Sequence, residues 1–123
     1  EEYRKRVIRY DDIPLSELAP GAMSHLVVGE QAVVSILTMP ANSHFPVHRH
    51  EAEQIMIVLE GYLDHIIDGK RYRVEEGNVV VLPSNIPHGR NIGEVDCRVI
   101  DIVAPPRAAL VTKAKEASDK LVP

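Results

Sequence analysis

Gln54-Ile55-Met56-Ile57-Val58-Leu59-Glu60-Gly61-Tyr62-Leu63-Asp64-His65-Ile66-Ile67-Asp68-Gly69-Lys70-Arg71-Tyr72-Arg73-Val74 is the stretch that decides the fold. It holds three strand-like runs separated by Glu60-Gly61 and Asp68-Gly69. An Asp-Gly pair between two such runs is a strong short-range hairpin signal, because both turn positions need a positive φ. Tyr72 and Val74 alternate with Arg71 and Arg73, so that strand has one wet face. Gln54–Leu59 does not alternate; every residue after Gln54 is apolar.

Outward from this stretch the signal stays β. Val33-Val34-Ser35-Ile36-Leu37-Thr38 is rich in β-branched residues, which favour the pleated strand. Val79–Leu82 reads as a buried strand closed by Pro83, and Val99–Val103 as the last strand. Pro40 and Pro46 bracket a loop. Many short strands with Gly, Pro and Asp-Gly turns predict an all-β sandwich or barrel. Residues 1–24 form an N-terminal arm: a short strand over Arg6–Tyr10, a turn at Asp11–Pro14, and a helical turn over Leu15–Leu18. The barrel spans 25–104. Pro105-Pro106 ends it, and 105–123 carries a helix, with Leu110, Ala114, Ala117 and Leu121 on one stripe.

Composition narrows the function. The chain has 123 residues, a net charge of −4, 45% hydrophobic and 26% charged residues, which fits one globular domain and not a disordered chain. Mild acidity and an aromatic content of 4% without Trp argue against nucleic-acid binding. No apolar run reaches the roughly 20 residues of a membrane span. Cys97 is the single cysteine, so no internal disulfide and no cysteine-only metal site is available, and a reducing cytoplasm is expected.

Histidine is the unusual component. Of six, three fall between residues 44 and 50. His48 and His50, two apart on a strand, would share one face. Gln54 opens the next strand and can face them if that strand pairs antiparallel with theirs. His88 follows Pro83 and Pro87, in a proline-fixed loop that holds its ring at a set angle. Three imidazoles and an amide oxygen make a site for one first-row divalent ion: Zn, Ni, Fe or Mn.

The company these residues keep resembles the two motifs of the cupin superfamily. Gln54 stands at the family's glutamate position and Gly61 at the closing glycine of the first motif. Gly77, Pro83 and His88 match the second in register. Asn42 and Asn85 replace glycines, and Asn tolerates the left-handed turn better than most residues. Asn91 lies one place short of the family's asparagine. The resemblance implies a double-stranded β-helix of jelly-roll type with a metal inside, held by His48, His50, Gln54 and His88. Cupins with this neutral-glutamine set include enzymes that linearise unsaturated uronates and aromatic polyketide cyclases, none of them redox enzymes. Ile100–Arg107 is similar to the last strand and exit loop of the uronate group: Asp101 and Arg107 match by position, while Val103 replaces an aromatic.

These matches imply an enzyme. A neutral fourth ligand leaves the ion its full charge, favouring an anionic carbonyl or carboxylate substrate and non-redox proton transfer. Asp101 is then an acid/base or, alternatively, an edge or dimer-interface carboxylate. Arg107 binds a substrate carboxylate or starts the helix in solvent. His65 lines the pocket or is a satisfied core residue, and His44 covers the pocket mouth or is a plain loop residue. The competing classes are a sugar-binding cupin without turnover and a three-histidine Fe(II) dioxygenase. A homodimer is expected, because edge strands invite pairing.

Overall fold

The structure is a computed structural model that describes residues 2–120. Ten strands follow in order: β1 Leu15–Ala19, β2 Ala22–Val28, β3 Val33–Met39, β4 His44–His48, β5 Glu53–Glu60, β6 Tyr62–Ile67, β7 Lys70–Glu75, β8 Val79–Leu82, β9 His88–Ile92 and β10 Cys97–Ala104. One helix, α1, spans Ala108–Asp119. A six-stranded sheet runs β1-β2-β3-β10-β5-β8 and a four-stranded sheet runs β4-β9-β6-β7. All pairings are antiparallel. The all-β architecture expected from the turn spacing forms, and its two sheets make the jelly roll that the resemblance implies.

The β6–β7 hairpin turns at Asp68 and Gly69, with φ of 49° and 78°. Asn42 and Asn85 are left-handed at 62° and 65°, the conformation that asparagine tolerates. Gly61 is required sterically: at φ 80°, a Cβ there would sit 2.4 Å from the Asp96 carbonyl oxygen. The inward positions of both sheets meet in a core of Met39, Met56, Val58, Leu63 and Val99, none more than 1% exposed. Each such side chain contributes roughly 1.5–3 kcal/mol on burial.

Four local expectations are corrected. Leu15–Leu18 is not a helical turn but part of β1, with Leu15 opposite His25. An isolated turn costs more to nucleate than a strand that finds a ladder waiting on β2. Arg6–Tyr10 is not a strand. Two 3-10 turns, Arg4–Arg6 and Tyr10–Asp12, flank an exposed stretch instead. β4 begins inside the expected Pro40–Pro46 loop and runs through Pro46 to His48, so His44 sits on a strand; Pro46 is tolerated there because β4 is an edge strand. His88 is the first residue of β9, not part of the loop before it.

The boundary drawn at residue 25 falls inside β2, so the expected arm contributes β1 and half of β2 to the larger sheet. Helix α1 packs on β1 and β2. Ala117 is buried and Leu110 and Ala114 half-buried, as the stripe requires; Leu121 lies outside the described residues. Among the described residues no helix is long and apolar enough to cross a membrane.

Candidate metal centre

His48 closes β4 and lies directly opposite His88, the first residue of β9. His50 follows two residues later, past the strand end. Their ring centroids are 4.5 Å apart for His48 and His88, 5.0 Å for His50 and His88, and 5.5 Å for His48 and His50. One ligand atom from each ring lies within 4.8 Å of the others.

The backbone sets the tautomers. The three Nδ1 atoms lie 3.2, 2.8 and 2.9 Å from the carbonyl oxygens of Pro46, Ala52 and Ile86, each two residues away in sequence. A carbonyl can only accept, so each Nδ1 carries the proton and donates it. Each Nε2 is then a lone pair, the form that binds metals. His88 Nε2 is buried with no partner.

Gln54 arrives differently from the sequence expectation. Its strand does not pair with β4; the two lie in different sheets. Gln54 sits between Leu82 and Val103 on the larger sheet and reaches the histidines across the sandwich. Its Nε2 donates to Asp101 Oδ1 at 2.9 Å. Arg90 holds Asp101 in turn, with its two terminal nitrogens at 2.9 Å from Oδ2 and 2.5 Å from Oδ1. A carboxylate accepting from Arg90 requires the amide to present its NH2 to Asp101. Its Oε1 therefore points at His50 Nε2, 3.0 Å away. Two lone pairs face each other there, an arrangement that a cation between them would turn from repulsive to favourable. Together with the unpartnered His88 Nε2, this donor set fits a divalent metal ion.

Burial favours the neutral form of the His48, His65 and His88 rings. It lowers the His48 pKa and pushes His88 down to about 4, against a partly offsetting hydrogen bond to Ile86. His65 is pushed down to about 3, first by burial and then by the Arg90 charge. The unfolded chain protonates these rings near 6.5. The unfolded state thus binds more protons below that pH. Chelator-treated protein is expected to lose stability as pH falls through 6.5 toward about 4 for His88 and about 3 for His65, with no contribution from these groups above that window. Melting temperatures between pH 8 and pH 4.5 check this. His65→Leu should flatten the slope, and an unchanged slope would be inconsistent with a neutral buried ring.

A cavity of about 120 Å³ opens beside the histidines. Gln54, Asp101, Arg90 and Arg107 line it, and Leu18 of β1 and Leu110 of α1 also border it. So the structure brings His48, His50, Gln54, His88, Asp101 and Arg107 together. It does not bring His65 into the lining: that ring is fully buried on β6, 6.3 Å from the His88 ring, with both nitrogens unpartnered. His44 is exposed, bonds Asn91 through Nδ1, and lies outside the lining. Cys97 is buried and its thiol pushed up to about 11, which makes it a core residue rather than a ligand.

Sequence reasoning missed Arg90. It faces inward on β9, two residues after His88, and is only 7% exposed. The available signal was a lone Asp101 inside an apolar strand, since a buried carboxylate needs a partner. With β9 read as loop, the inward parity of Arg90 was hidden.

A family model described as Cupin domain matches residues 35–103. An uncharacterised protein of Methanocaldococcus jannaschii is 30% identical over 70 residues, 55% of this chain and 56% of that protein. The matched region thus spans little more than half the length of that relative. Among solved structures, KdgF from Halomonas sp. aligns with a TM-score of 0.75 at 24% identity, covering 81% of this chain and 93% of that one. The polyketide cyclase RemF from Streptomyces resistomycificus aligns at 0.72 and 22%, covering 83% and 80%. At these identities the structural likenesses concern the fold.

Proposed function

The chain belongs to the cupin domain family, and from that premise we propose that it is a metal-dependent enzyme acting on a small anionic carbonyl or carboxylate compound by non-redox proton transfer: isomerisation, cyclisation or ring opening. The observation that carries this is the chain Arg90–Asp101–Gln54, which turns a neutral amide oxygen toward the His50 lone pair, beside the His48 and His88 rings. One divalent ion, Zn, Ni, Fe or Mn, would be held by His48, His50, Gln54 and His88. Such an ion supplies Lewis acidity toward a carbonyl or carboxylate oxygen.

The chain's own residues do the rest. Arg107 lines the cavity, and its planar fork is suited to a substrate carboxylate. Asp101 lines it too. Three N–H donors occupy three of its roughly four lone-pair sites, leaving one to accept a substrate proton. His65 is given no contact with substrate. The apolar walls supplied by Leu18 and Leu110 reduce water around the reacting group. The polyketide cyclase likeness and the match of Asp101 and Arg107 to the uronate-linearising cupins support two substrate groups. A cytoplasmic location is in keeping with the single, unpaired, buried cysteine.

The test is a screen of unsaturated uronates and aromatic polyketide carbonyl compounds for turnover that a chelator abolishes, with Gln54→Glu beside the wild type. The variant adds a negative charge at the metal donors and sets it 2.9 Å from Asp101 Oδ1, where a donor now sits. At matched metal occupancy its kcat/KM should fall by about tenfold or more. Equal rates would refute the role of the neutral ligand. Oxygen consumption by the wild type would favour the iron dioxygenase instead.

A further inference from the structure

Two serines interrupt the apolar inner face of the larger sheet. Ser24 stands between Ala22 and Leu26 in the inward register of β2, and Ser35 between Val33 and Leu37 in that of β3. They are 0% and 2% exposed, and their hydroxyl oxygens lie 2.6 Å apart, within the range of an O–H···O bond. Among the described residues neither side chain has another hydrogen-bonding partner.

A hydroxyl buried in an apolar row costs stability unless it is bonded. Two hydroxyls carry two protons, and their mutual bond uses one. The surroundings decide which serine keeps the other. Ser35 borders the cavity beside the metal donors; Ser24 does not. Were Ser35 the donor, the Ser24 proton would be sealed in the core with nothing to bond, at the full desolvation cost of that group. With Ser24 donating, the Ser35 proton turns toward the cavity. Of the polar side chains on the cavity wall, Ser35 is the one that the proposed mechanism leaves unused.

Across the sheet, Ser35 lies directly opposite Asp101 of β10. Residues opposed in this way have Cβ atoms about 4.5–5.5 Å apart. The two side chains do not bond each other: Asp101 accepts from Gln54 and Arg90, and Ser35 pairs with Ser24. One donor and one acceptor thus face the same cavity from adjacent strands. A ligand hydroxyl both donates and accepts through one atom and satisfies the two together. A carbonyl oxygen meets only Ser35, and a C–H meets neither.

Resting on the reading of this chain as an enzyme for a small carbonyl or carboxylate compound, we propose that Ser35, held by Ser24, is a specificity-determining residue. It selects substrates that carry a hydroxyl group, which donates to Asp101 and accepts from Ser35. The substrate class is thereby narrowed to hydroxylated carboxylates.

Titration calorimetry on the full chain, with metal content measured, tests this with two matched pairs: D-galacturonate against tetrahydropyran-2-carboxylate, and 3-hydroxybenzoate against benzoate. In the wild type the hydroxylated member of at least one pair should bind more tightly. Ser35→Ala should weaken that ligand by about three- to tenfold and leave its hydroxyl-free partner and the metal content unchanged. Ser24→Ala removes the donor to Ser35 but not the Ser35 proton, so affinity should stay within about twofold of wild type. The double variant Ser24→Ala/Ser35→Ala strands no hydroxyl in the core and should repeat the Ser35→Ala loss, which covers poor folding of the single variant. No weakening in Ser35→Ala, or equal weakening of both members of a pair, overturns the proposal. So does a Ser24→Ala loss equal to that of Ser35→Ala, the mark of a merely structural pair. A hydroxylated ligand that binds Ser24→Ala severalfold more tightly also overturns it, because the Ser35 proton would then have been committed to Ser24. A wild type that binds both members of each pair equally sinks the hydroxyl selection alone. A wild type that binds none of the four sinks the carboxylate reading and this selection with it.

Discussion

His50→Ala is expected to keep less than about a tenth of the wild-type metal content, a larger loss than the roughly 10–100-fold that removing an outer partner causes. The residue lies just past the end of β4, half-buried, so its removal opens no cavity in the core. It takes away one of three converging lone pairs and the atom facing Gln54 Oε1 at 3.0 Å. The measurement is elemental analysis after gel filtration, with a melting curve of the chelator-treated protein as the folding control. A variant that holds the same metal per chain as the wild type, whatever the ion, would remove His50 from the ligand set.

Arg90→Met should cost more stability than any other single change near the site. Arg90 and Asp101 are 7% and 4% exposed and bonded through two contacts. Methionine keeps much of the stem and leaves Asp101 buried without its cation, a loss of about 3–5 kcal/mol. For a chain of this size that lowers the melting temperature by about 10–20 °C. Adding Asp101→Asn should recover part of the loss, because the stranded charge is gone. The exposed Arg73→Met serves as comparison and should change stability by less than about 1 kcal/mol. If Arg90→Met melts within about 3 °C of wild type, the ion pair does not anchor the site. Metal affinity gives a second readout: with Asp101 released, the Gln54 amide is free to turn its NH2 inward, and binding should weaken even in folded protein.

The all-β class and most of the strands were legible from local signals, and the jelly roll from the motif resemblance. Asp68-Gly69 fixed a hairpin, β-branched runs marked β3 and β10, and Pro105-Pro106 separated sheet from helix. These are short-range preferences of backbone geometry, so a window of a few residues contains them. The same holds for the imidazole donors, whose residue types and spacing carry their chemistry. Elements whose reason to exist lies elsewhere in the chain were not legible. Leu15–Ala19 is a strand because β2 offers it a ladder, and β4 contains Pro46 because nothing pairs on its outer side.

The amino-acid order by itself determined which groups are available: three imidazoles, a neutral amide in place of a carboxylate, and one carboxylate too deep in an apolar strand to stand alone. Only the tertiary structure decided their relations. It put Gln54 on the sheet facing the histidines rather than beside them, chose Arg90 as the partner of Asp101, and moved His65 out of the cavity wall. The physical reason is the length scale. Side-chain parity along one strand is a local property, whereas pairing between facing layers depends on how two sheets stack, and residues 54, 90 and 101 meet only once that stacking exists.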